Sequence, residues 1–359
     1  MKILYVTTVG MTMGFFESFF SELQKHGHTV DIACGDLDSL PEFCKKKRFR
    51  IFPLSCSRSP FDKGNIRAVR ELRYIVRKNK YDIVHCHTPV AAACTRLACR
   101  PLRKQGLKVF YTAHGFHFYT GAPFKNWLIY YPVEKWLSRY TDVLITINKE
   151  DYSRAKKEFN AKKIEYVPGV GIDTSKFSPT QSGRKRIREE LELDDSQTML
   201  LSVGELNENK NHIAVIKAIK GMKNLVYVIV GKGDLGDELI DAAEENGVDL
   251  RLTGFRNDVV DFYAAADVYV LPSIREGLNV SLMEAMASGL PVICGNIRGN
   301  TDLIDDKDCL FEPMDCMGIR SSIKCAIKRK ETLGDRNLKK IRSFDFEVVE
   351  RLLFKIYGE

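Results

Sequence analysis

The sequence predicts an α/β protein of two Rossmann-like domains, each built on a parallel sheet and facing the other across an interdomain cleft. Three observations predict it. Apolar strand-like runs alternate with helical patterns along the chain, which argues for parallel sheets covered by helices. The plan occurs twice, with a glycine-bearing turn after the first strand of each half. Between the halves, "EYVPGVGIDTSKFSP" concentrates Gly and Pro near position 170, as a linker does. A chain of 359 residues also exceeds what one small core holds.

In order, the first half offers "KILYVTTV", "TVDIAC", "DIVHCH", "KVFYTAHG" and "DVLITIN" as buried strands, with helices such as "GFFESFFSELQKHGH" between them. The second half repeats the plan with "TMLLSVGEL", "LVYVIVGKG", "LRLTGF", "VYVLPS", "PVICG" and a shorter "CLFEP". Domains are expected at 1–168 and 169–340. The helix "FDFEVVERLLFKIYG", within 341–359, has enough apolar face to pack back on the first domain. Ligands of open α/β sheets bind outside the carboxyl ends of the strands. Segments 10–17, 85–87, 114–117, 204–210, 231–234, 255–257, 273–279 and 295–300 are therefore the ones to weigh, and they hold most of the histidines.

Composition sets bounds. The chain is 44% hydrophobic and 28% charged without a low-complexity tract, which is the make-up of a globular protein. No apolar run approaches the ~18 residues that span a bilayer. "MKILYVTTVG" reads as a first strand and not as a signal peptide. Ten cysteines without a CxxC pair suggest the reduced thiols of a cytosolic protein.

Charge is unevenly placed. Residues 1–170 carry 29 Lys/Arg against 15 Asp/Glu, and residues 171–359 carry 26 against 32, so the first half should meet an anionic partner or surface. In "GNIRAVRELRYIVRKNK", Arg67, Arg70, Arg73 and Arg77 share a helix face; "KKKRFR" (Lys45 to Arg50) lies upstream. Both tryptophans fall in "FHFYTGAPFKNWLIYYPVEKWLSRY". Arginine faces beside Trp and Tyr suit an anionic membrane surface; the plain alternative is a solvated arginine face and a packed aromatic helix. No nucleic-acid-binding motif accompanies the charge, so nucleic acid is set aside.

Three other patterns are weaker. His85, Cys86, His87, His114 and His117 suggest a metal cluster, but neighbours along a strand point to opposite faces, which favours cleft lining or packing. Asp36-Leu37-Asp38 spells a D-x-D, read here as a turn after a strand. "GKGDLGDEL" lacks the Gly-Lys-Ser/Thr ending of a triphosphate-binding loop.

The stretch "REGLNVSLMEAMASGLPVICGN" carries more chemistry. A strand is followed by the turn Glu276-Gly277-Leu278-Asn279, then by a helix from about Val280 to Ser288 that ends at Gly289 and Pro291. Free backbone N–H groups at a helix start attract an anion, and Gly277 admits a ligand close to the chain. Glu276 and Glu284 accept hydrogen bonds only. Flanking an anion site, they fit a molecule with hydroxyls at both ends and phosphates between, a nucleotide sugar. Acids matching the helix dipole are the alternative.

"LPSIREGLNVSLMEAMASGLPVI" resembles the E-x7-E signature of retaining glycosyltransferases with the two-domain GT-B fold, the large family of capsule, exopolysaccharide and lipopolysaccharide sugar transferases. "TAHGFHF", "YVPGVGIDTSKF", "SVGELNENKNH", "VIVGKGDLGDEL" and "LRLTGFRNDVVDFYAAADVYVLPS" resemble the family's other landmarks, in order and over nearly the whole chain. The resemblance implies that Glu276 holds donor-sugar hydroxyls and Glu284 the ribose hydroxyls. Gly277, Leu278 and Asn279 would offer N–H groups to phosphate and sugar, Lys210 would neutralise the leaving diphosphate, and the chain near Arg256 and Asn257 would bind the base. Gly14 would approach the diphosphate and His114 the donor sugar. Front-face attack, with the leaving phosphate taking the acceptor's proton, would account for the lack of an obvious nucleophile–base pair.

Two departures stand out. Glu205 occupies a position where the family usually has Arg, and the usual Gly pair of the first loop is reduced to Gly14 after Met13. Arg298, in "GNIRGNTDL", is expected either to supply the missing cation or to hold Glu205 in a salt bridge. The expectation is a metal-independent, retaining hexosyltransferase without a cofactor, on the cytoplasmic face of the cell membrane. It would move sugar from a nucleotide sugar, UDP-linked by preference, to a lipid-linked or other polysaccharide precursor. The alternatives are a GT-B sugar-nucleotide epimerase and a non-catalytic two-domain binding protein.

Overall fold

In the computed structural model, which describes residues 1–46 and 49–358, the chain forms two compact units. One comprises Met1–Gly171 with Val349–Glu359, the other Ile172–Val348. Residues 341–348 thus stay with the second unit.

The first unit is built on seven parallel strands, β1 (Lys2–Val9), β2 (Thr29–Asp36), β3 (Ile51–Pro53), β4 (Ile83–Cys86), β5 (Lys108–Ala113), β6 (Val143–Thr146) and β7 (Lys163–Tyr166). Their spatial order is β3-β2-β1-β4-β5-β6-β7. Six helices accompany them: α1 (Glu17–Lys25), α2 (Glu42–Lys46), α3 (Gly64–Asn79), α4 (Pro89–Cys99), α5 (Phe124–Ser138) and α6 (Lys149–Glu158). Alternation along β1 supplies both layers of the core. Leu4 and Val6 pack under α3 and α4, whereas Ile3 and Tyr5 face α1 and the end of the last helix.

The second unit carries β8 (Thr198–Val203), β9 (Leu225–Val230), β10 (Asp249–Leu252), β11 (Val268–Leu271), β12 (Val292–Gly295) and β13 (Leu310–Phe311), in the order β10-β9-β8-β11-β12-β13. Its helices are α7 (Gln181–Glu190), α8 (His212–Ile219), α9 (Gly236–Asn246), α10 (Val259–Ala265), α11 (Val280–Ala287), α12 (Asn300–Leu303), α13 (Cys316–Lys328) and α14 (Lys330–Ile341). The last helix, α15 (Phe346–Tyr357), puts Val349, Leu353 and Tyr357 into the first unit's core. Strand order reverses at β1/β4 in one unit and at β8/β11 in the other, and that reversal is where the loops part to leave a ligand crevice.

Every strand expected from the sequence is present. The first sheet adds β3 and β7, one at each edge. Both are short: "IFP" ends in a proline tolerated on an edge, and "KIEY" alternates charge with apolar groups, so neither shows the apolar run of a central strand. The expected helix from Gly14 starts later. Residues Gly10–Phe16 form a tighter 3-10 segment, and α1 begins at Glu17. Part of "KKKRFR", Lys47 and Arg48, falls outside the described residues; Arg50 pairs with Asp31.

One buried ion pair fastens α5 to α4. Arg96, 1% exposed, donates two bonds to Glu134, at 2.8 and 3.1 Å, and one to the Ala92 carbonyl at 3.0 Å. Its guanidinium also lies over the Tyr111 ring, 4.5 Å from the centroid. Removing one partner strands a buried charge, so Glu134→Ala should lower the unfolding free energy by about 3–5 kcal/mol. Glu134→Leu combined with Arg96→Met should restore most of the loss. Urea unfolding measures both, and a loss below ~1 kcal/mol in Glu134→Ala would show that the pair does not hold α5.

Candidate functional site

In the second unit the loops after β8 and β11 are zipped together. Asn207 caps the turn 208–210 by accepting the Lys210 N–H at 3.0 Å. Asn209 donates its side-chain amide to the Arg275 carbonyl at 3.0 Å, and its own carbonyl accepts the Ile274 N–H at 2.9 Å. This fixes the base of Lys210, whose Nζ meets Glu276 Oε1 at 2.8 Å with both side chains mostly shielded from solvent. A cation and an acid from adjacent strands therefore meet at the point where the strand order reverses.

The loop after β12 closes on the same turn. Arg298 is buried and donates Nε–H to the Glu276 carbonyl at 3.1 Å. The next residue, Gly299, has φ +82°, and a Cβ there would lie 2.1 Å from the Gly277 carbonyl oxygen. Only glycine lets the chains approach so closely. Asn279 caps α11 by accepting the Leu282 N–H at 2.9 Å. Among the described residues, the N–H groups of Gly277 and Leu278, just before that cap, have no protein acceptor. On the second turn of α11, half-buried Glu284 accepts from the Tyr263 hydroxyl at 2.7 Å. Burial pushes its carboxyl above the usual range, partly offset by that hydrogen bond.

Lys210, Glu276, Gly277, Leu278, Asn279 and Arg298 are thus brought onto one rim. One sequence expectation needs adjusting. Glu205 is exposed and accepts from Asn207 Nδ2 at 2.8 Å, so the expected salt bridge from Arg298 is not formed. A neighbour two residues away satisfies Glu205 more cheaply than a buried arginine could. The Arg256 side chain is engaged by Glu190 at 2.7 and 3.0 Å and by Asp258 at 2.8 and 2.9 Å, over the Phe262 ring. That leaves the backbone around it, with exposed Asn257, to meet a base. Asp36 and Asp38 lie in a turn in which Asp36 accepts from Ser39.

In the first unit, exposed Gly14 sits in the 3-10 segment after β1, with Pro41 Cγ at 3.6 Å from where a Cβ would be. His114, after β5, is half-buried, and its Nε2 shares a hydrogen with His87 Nδ1 at 3.1 Å. The fully buried His87 Nε2 has no partner among the described residues. Below it, His85 bonds Thr112 at 2.7 Å and the hydroxyl of Tyr357, the last residue of α15. These contacts are the packing role, and among the described residues no cluster of His, Cys, Asp or Glu could hold a metal ion. Beside His117 lies a cavity of about 260 Å³, lined by Thr8, Thr88, Arg58, His117 and Tyr130 among others. The His117 and Tyr130 rings lie 4.6 Å apart. Asn207, Tyr263 and His87 were not singled out for these contacts in the sequence. An Asn three residues before Lys210 was a readable capping signal; the other two become visible only in three dimensions.

Residues 183–337 match the family model of "Glycosyl transferases group 1", and residues 16–176 that of "Glycosyltransferase Family 4". EpsD of Bacillus subtilis (strain 168), a provisionally named glycosyltransferase, is 40% identical over 314 residues, which cover 85% of this chain and 81% of that protein. The UDP-Gal:alpha-D-GlcNAc-diphosphoundecaprenol alpha-1,3-galactosyltransferase of Escherichia coli is 30% identical over 302 residues, 80% of this chain and 76% of that one. Among solved structures, Anabaena Alr3699/HepE in complex with UDP superposes with a TM-score of 0.83 at 15% identity, covering 100% of both chains. With these neighbours, the two parallel-sheet units are those of the GT-B fold.

The buried histidines make acid stability testable. Burial holds His85 down to about 3, His114 and His212 down to about 4, and His87 well below its ordinary value. The unfolded chain takes up protons near pH 6.5 that the native chain refuses. The stability they confer is therefore complete above pH 6.5 and is lost as pH falls toward 4, by up to about 1.4 kcal/mol per pH unit for each histidine. Thermal melts from pH 7.5 to 4.5 should show a midpoint falling steadily below pH 6.5, more gently in His212→Asn. A flat profile would mean that the histidines are not held neutral.

Proposed function

Since the chain belongs to the glycosyltransferases of the group 1 and Family 4 type, we propose that it is a retaining, metal-independent enzyme moving a sugar from a UDP-sugar to a lipid-linked saccharide precursor. The observation that carries this reading is the Lys210–Glu276 pair at the start of α11, beside the unsatisfied N–H groups of Gly277 and Leu278. UDP is bound in the Anabaena structure, and UDP-Gal and a diphosphoundecaprenol acceptor stand in the name of the Escherichia coli relative. Carrying those ligands over to this chain is part of the proposal, as is its place on the cytoplasmic face of the membrane.

In the proposed reaction, the bond from the sugar's anomeric carbon to the diphosphate oxygen breaks, and its electron pair leaves with the nucleoside diphosphate. An acceptor hydroxyl forms the new bond on the same face, and its proton passes to the departing phosphate. Lys210 and the N–H groups of Gly277, Leu278 and Asn279 meet the growing negative charge, a preorganised stabilisation that needs no metal. Glu276 accepts from the sugar hydroxyls and Glu284 from the ribose, with the backbone near Arg256 and Asn257 meeting the base. Arg298 positions Glu276 by holding its carbonyl. Glu205 is merely tolerated near the site, and Gly14 and His114 keep the roles that the resemblance implies. The cavity beside Arg58, His117 and Tyr130 suits the acceptor: aromatic faces pack on sugar rings and the guanidinium suits phosphate.

UDP release across a donor panel, with and without lipid-linked acceptors, tests this. Glu276→Ala and Lys210→Ala should each lose about 100–1000-fold in turnover. Glu284→Ala should mainly raise the donor KM, Arg298→Ala should cut turnover strongly, and Glu205→Ala should be mild. Activity should survive EDTA. Near-wild-type turnover in Glu276→Ala would refute the donor site. A divalent-ion requirement lost in Asp36→Asn would refute metal independence, and product formation without acceptor would point to an epimerase.

A further inference from the structure

His87 and His114 follow the neighbouring strands β4 and β5, and past the strand ends their rings meet. His87 Nδ1 lies 3.1 Å from His114 Nε2, with the ring centroids 5.3 Å apart. A neutral imidazole carries one N–H and one bare nitrogen, whereas an imidazolium carries two N–H groups. Burial holds both rings below their ordinary values, so both are neutral at neutral pH. One proton therefore lies between them, and it can be placed in two ways. Either His87 donates Nδ1–H and His114 presents an Nδ1–H on its far side, or His114 donates Nε2–H and presents a bare Nδ1.

The surroundings of His87 choose between the two. Its other nitrogen, Nε2, is fully buried and has no partner among the described residues. Rings pack around the imidazole: Tyr5 stacks on it at 5.5 Å, Phe16 lies at 4.7 Å and His85 at 4.4 Å. The polar atoms of those rings are committed elsewhere, the Tyr5 hydroxyl to Tyr357 at 2.8 Å and the two His85 nitrogens to Tyr357 and Thr112. If His114 were the donor, His87 would carry its hydrogen on Nε2 and bury an N–H with no acceptor. With His87 as the donor, Nε2 is a bare nitrogen beside apolar ring atoms. Among backbone groups an orphaned buried N–H is rarer than an under-satisfied acceptor, and the same preference applies here.

We infer that His87 is a positioning residue for the transfer: it donates Nδ1–H to His114 Nε2 and thereby fixes His114 as an Nδ1–H donor. His114 Nδ1 sits on a half-buried ring and has no partner among the described residues, so it is the nitrogen left to meet a ligand. An N–H turned toward the donor sugar offers a hydrogen bond to a sugar oxygen and cannot take up a proton. His114 is thus barred from serving as the base, and the acceptor's proton is left to the departing phosphate. His87 itself touches no ligand; the bond it makes to one ring nitrogen sets the state of the other. The purpose of the device rests on the transferase reading, whereas the tautomer does not.

Nitrogen NMR of the full chain with isotope-labelled histidine, recorded without ligand, reads the tautomer directly, because protonated and bare ring nitrogens differ widely in shift. Signals are assigned by their loss in His87→Leu and in His114→Gln. Wild type should show both His87 and His114 protonated at Nδ1 and bare at Nε2. His87→Leu should release His114 from that tautomer and lower turnover at least ~10-fold, while UDP alone, which lacks the sugar, binds as in wild type. His87→Asn, whose side-chain amide N–H replaces the imidazole Nδ1–H, should hold the tautomer and keep more of the turnover than His87→Leu. The wild-type spectrum decides the matter even if a variant folds poorly. A bare Nδ1 on His114 in wild type, an unchanged His114 tautomer in His87→Leu, or full turnover in His87→Leu where His114→Gln loses it would each overturn the inference. Full turnover in His114→Gln would instead refute the donor-sugar role of His114 in the transferase reading, a failure that the ligand-free spectrum keeps distinct from that of the ring pairing.

Discussion

The 2.8 Å contact between Lys210 and Glu276 organises the second unit's rim. Each residue follows a strand, and the two strands are neighbours at the point where the sheet order reverses. Both side chains are mostly shielded from solvent, so the attraction is largely offset by the water the two charges give up, and the pair is weak evidence for stability. Its value lies in placement. With no ligand, the acid and the cation keep each other in position and neutralised. In the proposed reaction an incoming diphosphate would compete for the lysine and so free the carboxylate to accept from the sugar. On that proposal the site would exchange one charge-assisted bond for two, with little reorganisation of the protein.

The surroundings show how that pair is maintained. Asn207, Asn209 and Arg298 all act on backbone groups of the two loops, so the side chains proposed to meet the donor stand on a fastened frame. The first unit uses a different device. His85, His87 and His114 form a line of imidazoles that burial keeps neutral, anchored by Tyr357 from the far end of the chain. The end of α15 thereby becomes part of the support under His114. Where the second unit's rim brings opposite charges together, the first keeps this line of imidazoles uncharged.

Much of this was readable from the residues. The central strands announced themselves as apolar runs because both faces of a parallel sheet are covered. Glu276, Asn279 and Glu284 could be placed from the turn-and-helix pattern around Gly277. The edge strands β3 and β7 were silent because edges need no apolar run. Arg298 was expected either to supply a missing cation or to pair with Glu205; the pair is not formed, and its Nε donates to the Glu276 carbonyl, a contact that sequence distance does not announce. For the aromatic segment that becomes α5 the sequence left a membrane-facing surface and a packed helix both open; only the orientation set by Glu134 shows which of its side chains face out.

The most direct test of the account is calorimetric binding of UDP and of a panel of UDP-sugars to wild type, Lys210→Met and Glu276→Gln. If the pair is a placeholder for the donor, Lys210→Met should weaken both ligands. Glu276→Gln should bind UDP as well as wild type or better, because the lysine has lost its competitor, yet bind the UDP-sugar less tightly. Equal weakening of UDP and UDP-sugar in Glu276→Gln would contradict the account, since the acid would then support the turn and not the sugar.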